Sequence, residues 1–275
     1  MTNRQSGSKT SRNGSRYELS GAKDAPVVAL IHGLGLNRQV WDRYRSRLGQ
    51  RYRVLTYDLY GHGESAAPPR TPSVTLFSEQ LIGLMDELAI DQCTLVGFSL
   101  GGMINRRVAI DHPERVRALA ILNSPHDRGD EAQARAERQA MDAAAGGPGA
   151  TLEAAIERWF TAEFRNKHSD YIDRVRGWVL ANDPQIYALC RQVLAFGVVE
   201  LIRPEPPITH PTLVITCEHD SGSTPAMSQA IASEIAGAEI VIVPNLKHMG
   251  LAENPSFFIT ALCEFLEAVP LRHGG

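Results

Sequence analysis

Leu95-Val96-Gly97-Phe98-Ser99-Leu100-Gly101-Gly102 sets a serine between glycines where one local structure has to give way to another. Upstream, Cys93 to Val96 is a short, mostly apolar run that leans to β, the pattern of a buried strand. Downstream, Met103, Ile104, Val108 and Ala109 recur at helical spacing until Pro113, whose ring and missing N–H block continuation. Ser99 therefore stands on an abrupt strand-to-helix turn. Gly97 and Gly101 lack Cβ atoms, so strand and helix can close around it. Its hydroxyl is pushed out at the strand's carboxyl end, beside the free N–H groups of the new helix. That context, more than the G-x-S-x-G spacing, marks Ser99 as a nucleophile. The bland alternative is a glycine-rich turn with an incidental serine.

The alternation continues on both sides. Tyr17 to Leu19 begins an edge strand, and Val27 to Ile31 is a β-rich run that ends in the loop His32-Gly33-Leu34-Gly35. Val40, Trp41, Tyr44 and Leu48 recur at helical spacing, and Val54 to Tyr57 is the next strand, closed by Asp58 and Gly61-His62-Gly63. Phe77, Leu81, Leu84, Met85 and Leu88 mark an amphipathic helix that leads into the serine strand; Ala118 to Leu122 is a further strand. Later, Thr212 to Thr216 and Ile240 to Val243 are strands, with helices opened by Thr224-Pro225 and Asn254-Pro255. Strands that are apolar on both faces and alternate with helices predict an α/β fold. Its mainly parallel sheet should hold about eight strands covered by helices on both sides.

Between Pro125 and Pro207 the rhythm breaks into helical segments rich in alanine, glutamate and arginine. They are divided by Gly146-Gly147-Pro148-Gly149 and by Asn182-Asp183-Pro184. Because the alternation then resumes, this is an inserted helical lid rather than a second domain. The expected division is a disordered polar tail over 1–16, a core over 17–124 and 208–275, and a lid over 125–207. Most of the lid aromatics should be lid core, with Trp159, Phe160 and Trp178 the candidates for a substrate pocket.

At 275 residues, with 43% hydrophobic and 21% charged residues, the chain can bury one large core. A net charge of −3 gives no reason to expect a nucleic-acid partner. Residues 1–16 have no apolar h-region, and no run approaches a membrane span, so cytoplasm is the default expectation. Cys93, Cys190, Cys217 and Cys263 have neither metal nor redox spacing, and those on strands are read as reduced core thiols. His62, His112, His126, His168, His210, His219 and His273 are scattered. No metal or cofactor is expected; the partner is a small molecule, and the chain a monomer or homodimer.

A serine hydroxyl needs a base, and the base needs a third group to hold its tautomer. In an open parallel sheet such groups gather past the strands' carboxyl ends. His248 follows the last strand and Asp220 the one before it, and Ser-Asp-His is an order known for triads on α/β sheets. Glu218 is the nearest competitor for the acid and Asp127 a more distant one, whereas Asn123, after the preceding strand, cannot supply charge. The oxyanion should meet the backbone N–H groups of Leu100 and Leu34, while His32 shapes the loop that carries Leu34.

His32-Gly33-Leu34-Gly35, Tyr57-Asp58 through Gly61-His62-Gly63-Glu64-Ser65, Gly97 to Gly102, Glu218-His219-Asp220 and Lys247-His248-Met249 together resemble the α/β-hydrolase superfamily. Within it, the chain is most similar to bacterial 3-oxoadipate enol-lactonase-like esterases. A serine at position 99 departs from haloalkane dehalogenases and epoxide hydrolases, which carry aspartate there. The resemblance implies acyl transfer from a small ester or lactone through Ser99, with His248 as base and Asp220 orienting it. Hydrolysis of a C–C bond in a ring-cleavage product, cofactor-free perhydrolysis, and ligand reception without turnover are the alternatives on the same scaffold. Between Pro125 and Pro206, ten Lys/Arg face thirteen Asp/Glu. That balance argues against a cationic funnel and for a moderately apolar substrate, while a single well-placed arginine could still clamp a carboxylate.

Overall fold

The short apolar runs pair into a single sheet. In the computed structural model, which describes residues 7–142 and 147–270, eight strands lie in the order β1-β2-β4-β3-β5-β6-β7-β8. They are β1 Lys9–Thr10, β2 Arg16–Ser20, β3 Val27–Ile31, β4 Arg53–Tyr57, β5 Cys93–Phe98, β6 Val116–Leu122, β7 Thr212–Cys217 and β8 Glu239–Val243. β1–β2 and β2–β4 are antiparallel, and every pairing from β4 through β8 is parallel. The carboxyl ends of β3, β5, β7 and β8 therefore share one edge of the sheet, and the loops that follow them meet there.

The helices are α1 Asp42–Leu48, α2 Val74–Glu87, α3 Leu100–Asp111, α4 Asp130–Asp142, α5 Leu152–Trp159, α6 Ala162–Lys167, α7 Ser169–Leu180, α8 Pro184–Phe196, α9 Pro225–Glu234, α10 Gly250–Glu253 and α11 Pro255–Ala268. The two-residue period of the strands divides the core into two layers. Ala29, Ile31, Leu95, Leu119 and Ile121 face α2, α3 and α9 through Phe77, Leu81, Met103, Ile104 and Ile231. Val28, Leu30, Val96, Ala120 and Ile215 face α1 and α11 through Tyr44, Leu48, Phe258 and Leu262. Both layers are buried, which is why the central strands read as continuous apolar runs rather than alternating ones. α4 to α8 form one helical insertion between β6 and β7. Its division at Asn182-Asp183-Pro184 has a plain cause: Asp183 accepts from the N–H groups of Gln185 and Ile186, and Pro184 opens α8.

The disordered tail expected over 1–16 is corrected for residues 7–16. β1 pairs with β2, Ser11 and Ser15 are buried, and Asn13 Nδ2 donates to the Gln80 carbonyl at 3.1 Å. A polar composition predicted disorder because little apolar surface was available to bury. Here the serine and asparagine side chains saturate one another and the backbone instead, Ser11 Oγ and Ser15 Oγ both bonding Asn13 Oδ1. Residues 1–6, Gly146 and His273 lie outside the described residues. Among the described residues no helix is long and apolar enough to cross a membrane.

Close backbone approach fixes α3 against the sheet. A Cβ at Gly101 would lie 2.2 Å from the Ile31 carbonyl oxygen, so strand or helix would have to move to admit one. Gly101→Ala is expected to lower Tm by about 5 °C or more, read by calorimetry.

Candidate active site

β5 ends near the middle of the sheet, and Ser99 leaves it with φ 55° and ψ −113°. A residue with a side chain holds that left-handed backbone only when its surroundings impose it. The Ser99 N–H donates to the Leu122 carbonyl at 2.9 Å. Its own carbonyl accepts from the Gly102 N–H and from Ser124 Oγ, each at 2.9 Å. A Cβ at Gly97 would stand 2.1 Å from the Gly101 carbonyl oxygen, so no larger residue allows this turn to close.

Asp220 and His248 come from the loops after β7 and β8. His248 Nδ1 lies 2.7 Å from Asp220 Oδ2, and the same oxygen accepts from Asn123 Nδ2 at 2.9 Å. Asp220 Oδ1 accepts from the N–H groups of Gly222 and Ser223, each at 2.9 Å. The carboxylate is 2% exposed. Burial alone would raise its pKa, but the charge and hydrogen bond of His248, with the Asn123 and Ser223 donors, outweigh that and hold it below the ordinary aspartate value. With Asp220 charged, Nδ1 of His248 is the donor in that hydrogen bond. The imidazole packs on Phe98, ring centroids 5.0 Å apart, and near Trp159 at 6.4 Å.

The competing acids are elsewhere. Glu218 is half exposed and accepts from the Asn245 N–H, while Asp127 accepts from the Gly129 N–H. Asn123 is a site residue that sequence reasoning set aside. As an amide it cannot be the acid, but its Nδ2 donates to Asp220 in the loop past the neighbouring strand β7. Its φ of 46° is the local trace of that placement.

Ser99, Asp220 and His248 line one cavity of about 170 Å³ with Leu34, Pro125, Arg128, Ala155, Arg158, Trp159, Tyr187 and Arg191 among its walls. Of the three aromatics expected at a pocket, Trp159 lines this cavity and two do not. Phe160 is fully buried, stacked on Phe164 with centroids 5.5 Å apart, and Trp178 Nε1 bonds Gln39 Oε1 at 3.1 Å. The physical reason is helix phase: Trp159 ends α5 beside His248, and the next side chain turns into the core of the insertion. The charge expectation also needs correction. Net charge does not say which side chains face inward, and three arginines of this net-acidic insertion line the cavity.

The loop after β3 reaches the serine. A Cβ at Gly33 would lie 3.1 Å from Ser99 Cβ, and Leu34 lines the cavity. The amides of Leu34 and Leu100 donate to no backbone acceptor in the turns and loops of the described residues. Beneath them, His32 Nε2 accepts from the Leu59 N–H at 3.0 Å, which puts its proton on Nδ1, facing the Gly33 carbonyl at 2.8 Å. Among the described residues no three His, Cys, Asp or Glu side chains gather as metal ligands would.

His32 is buried beneath the loop, and His62 is buried with its ring centroid 5.4 Å away. Burial lowers the two imidazoles to about 4 and about 3. Both stay neutral in the folded chain, whereas the unfolded chain protonates near pH 6.5. Their stabilising contribution is therefore complete above pH 6.5 and is lost as pH falls from there towards 4 and 3. Tm should drop steeply across that window, and His62→Gln should flatten the drop by about one proton's worth of slope, measured by calorimetry against pH.

Three comparisons bear on this geometry. The profile of a family described as the alpha/beta hydrolase family matches residues 28–261. The chain is 28% identical over 243 residues to 3-oxoadipate enol-lactonase 2 of Acinetobacter baylyi, covering 88% of this chain and 89% of that one. It is 26% identical over 260 residues to the (E)-2-((N-methylformamido)methylene)succinate hydrolase of the same organism, covering 94% and 97%. The crystal structure of the enol-lactonase from Burkholderia xenovorans superposes with a TM-score of 0.82 at 30% identity, over 93% of this chain and 98% of that one.

Proposed function

This chain belongs to the alpha/beta hydrolase family, and from that premise we propose that it is a serine hydrolase of small carboxylic esters or lactones. The observation that carries the reading is the buried Asp220–His248 hydrogen bond of 2.7 Å on the wall of the cavity that Ser99 also lines. Ser99 Oγ attacks the ester carbonyl carbon while His248 Nε2 takes its proton. Asp220 holds Nδ1–H and stabilises the imidazolium that forms. The tetrahedral oxyanion is received by the N–H groups of Leu34 and Leu100, one such donor being worth about 2.7–4 kcal/mol. As the C–O bond breaks, His248 returns the proton to the leaving alkoxide. Water then gives a proton to His248, adds to the acyl group and expels Ser99 Oγ, which recovers its proton. In a lactone, the leaving alkoxide stays attached to the acyl group.

Residues 125–207 act in this reading as a lid over the core of 17–124 and 208–275. The cavity of about 170 Å³ suits a small acyl group. The relatives named for lactone and succinate derivatives support a substrate of this size.

The test is steady release of p-nitrophenol from short p-nitrophenyl esters, together with fluorophosphonate labelling read by intact mass and peptide mapping. Turnover with a single label on Ser99 is expected. Turnover with the label on another residue, or labelling without sustained turnover, would overturn the reading.

A further inference from the structure

We propose that Arg128, Arg158 and Arg191 form a subsite for a free carboxylate on the substrate, so that the enzyme selects half-esters and lactones of dicarboxylic acids over neutral esters of equal length. This rests on the serine-hydrolase reading and adds to it a charge preference, with the residues that impose it.

The three arginines come from separate parts of the insertion and line one cavity. Arg128 precedes α4, Arg158 lies on α5 and Arg191 on α8. Among the described residues none of the three has a carboxylate within 4.0 Å, although nine other arginines of the chain do. Their donors are mostly unspent. Arg128 bonds Gln133 Oε1 at 3.0 Å and the Leu194 carbonyl at 3.4 Å, Arg191 bonds Thr151 Oγ1 at 3.0 Å, and Arg158 has no hydrogen bond among the described residues. The one carboxylate on the cavity wall is Asp220, already engaged by His248, Asn123, Gly222 and Ser223. Glu137 acts on Arg128 only from a distance, with its own Oε1 held by Gln133 Nε2 at 2.7 Å.

The neighbouring acids point away. Glu153, Glu157, Glu163, Asp170 and Asp173 are all exposed, as Arg158 is, but none of these acids lines the cavity that Arg158 shares with Ser99. Lining one cavity with like charges is unfavourable without a counter-charge. Burial lowers the Arg128 guanidinium, and burial followed by the neighbouring Arg191 lowers that of Arg158. An anion entering the cavity would relieve this, and a guanidinium presents the planar fork that a carboxylate accepts bidentately. Because Ser99 and the arginines share one cavity of about 170 Å³, the carboxylate must sit a few bonds from the scissile carbonyl.

The experiment has two arms. In the first, mono-4-nitrophenyl glutarate is compared with 4-nitrophenyl pentanoate on the wild type, Arg158→Gln, Arg191→Gln, the double variant and the corresponding lysine variants. The wild-type kcat/KM ratio should favour the anionic ester about tenfold or more. The ratio should fall in each glutamine variant, approach one in the double variant, be partly kept by lysine, and weaken as salt is raised. In the second arm, glutarate and the uncharged glutaramide are titrated calorimetrically into the wild type, a measurement that needs neither turnover nor a folded variant. Glutarate bound about tenfold or more tighter than glutaramide supports the subsite even if no ester is cleaved, in which case only the hydrolase reading fails. Ester cleavage with a wild-type ratio near one, or with the ratio unmoved in a folded double variant, overturns the subsite and leaves the hydrolase standing. Equal binding of glutarate and glutaramide does the same.

Discussion

Ser99→Ala is expected to lower kcat by roughly 10⁴- to 10⁶-fold while leaving the fold in place. The first half follows from the proposed role of the oxygen: without it no acyl-enzyme would form, and what would remain is the contribution of binding and of the oxyanion donors. The second half follows from the structure. Ser99 Oγ takes part in no hydrogen bond among the described residues, and the bonds that hold residue 99 run through its backbone to Leu122, Gly102 and Ser124. Alanine tolerates φ 55° no better and no worse than serine, so Tm should stay within about 2 °C of the wild type. Rate constants from p-nitrophenyl esters and a calorimetric scan check both halves. Retention of more than about one per cent of kcat would remove Ser99 from the chemistry.

Asp220→Asn is expected to cost about 10⁴ in kcat and, unlike the serine change, to cost stability as well. The carboxylate receives donors on both oxygens, from His248, Asn123, Gly222 and Ser223. An asparagine supplies one acceptor oxygen where the site asks for two, and its NH₂ then faces another donor. Either it confronts the amide of Asn123, or His248 changes tautomer and presents Nε2–H to the serine, which stops it acting as a base. Losing a buried acceptor of this kind costs about 1–3 kcal/mol, which a calorimetric Tm would register. Glu218→Gln is the matching control: the residue is half exposed and remote from the cavity, so kcat should change less than about twofold. If the two variants exchanged effects, the acid would be Glu218.

The architecture was readable from the sequence because its signals are local. A buried strand must be apolar, the turn at Ser99 must have glycines where backbones touch, and proline and asparagine mark where helices begin. Each of these is written in a handful of neighbouring residues. The acid and histidine could be sought because a parallel sheet carries its loops to one edge, so chain order predicts meeting places. What could not be read depends on direction. Phe160 has the composition of a pocket and the helix phase of a core, and Trp178 is half-buried with its Nε1 on Gln39. Arg128, Arg158 and Arg191 vanish into an acidic average because a count of charges records no orientation. Ser11, Asn13 and Ser15 look like a loose tail because saturation among polar side chains leaves no hydrophobic pattern. The donor role of Asn123 was hidden because it exists only once β6 and β7 lie side by side.

The order of the strands has a consequence for how this protein fails. Ser99 hangs from the end of β5, flanked by β3 and β6, whereas His248 follows β8, a margin strand with a partner on one side only and with Ile240 and Ile242 turned towards water. Amide protons paired within β5 are expected to exchange only on wide opening of the sheet, and those of β8 on fraying of a single strand. Heat should therefore separate His248 from Ser99 before it melts the molecule, so that an activity that needs both fades reversibly at temperatures where the serine is still seated.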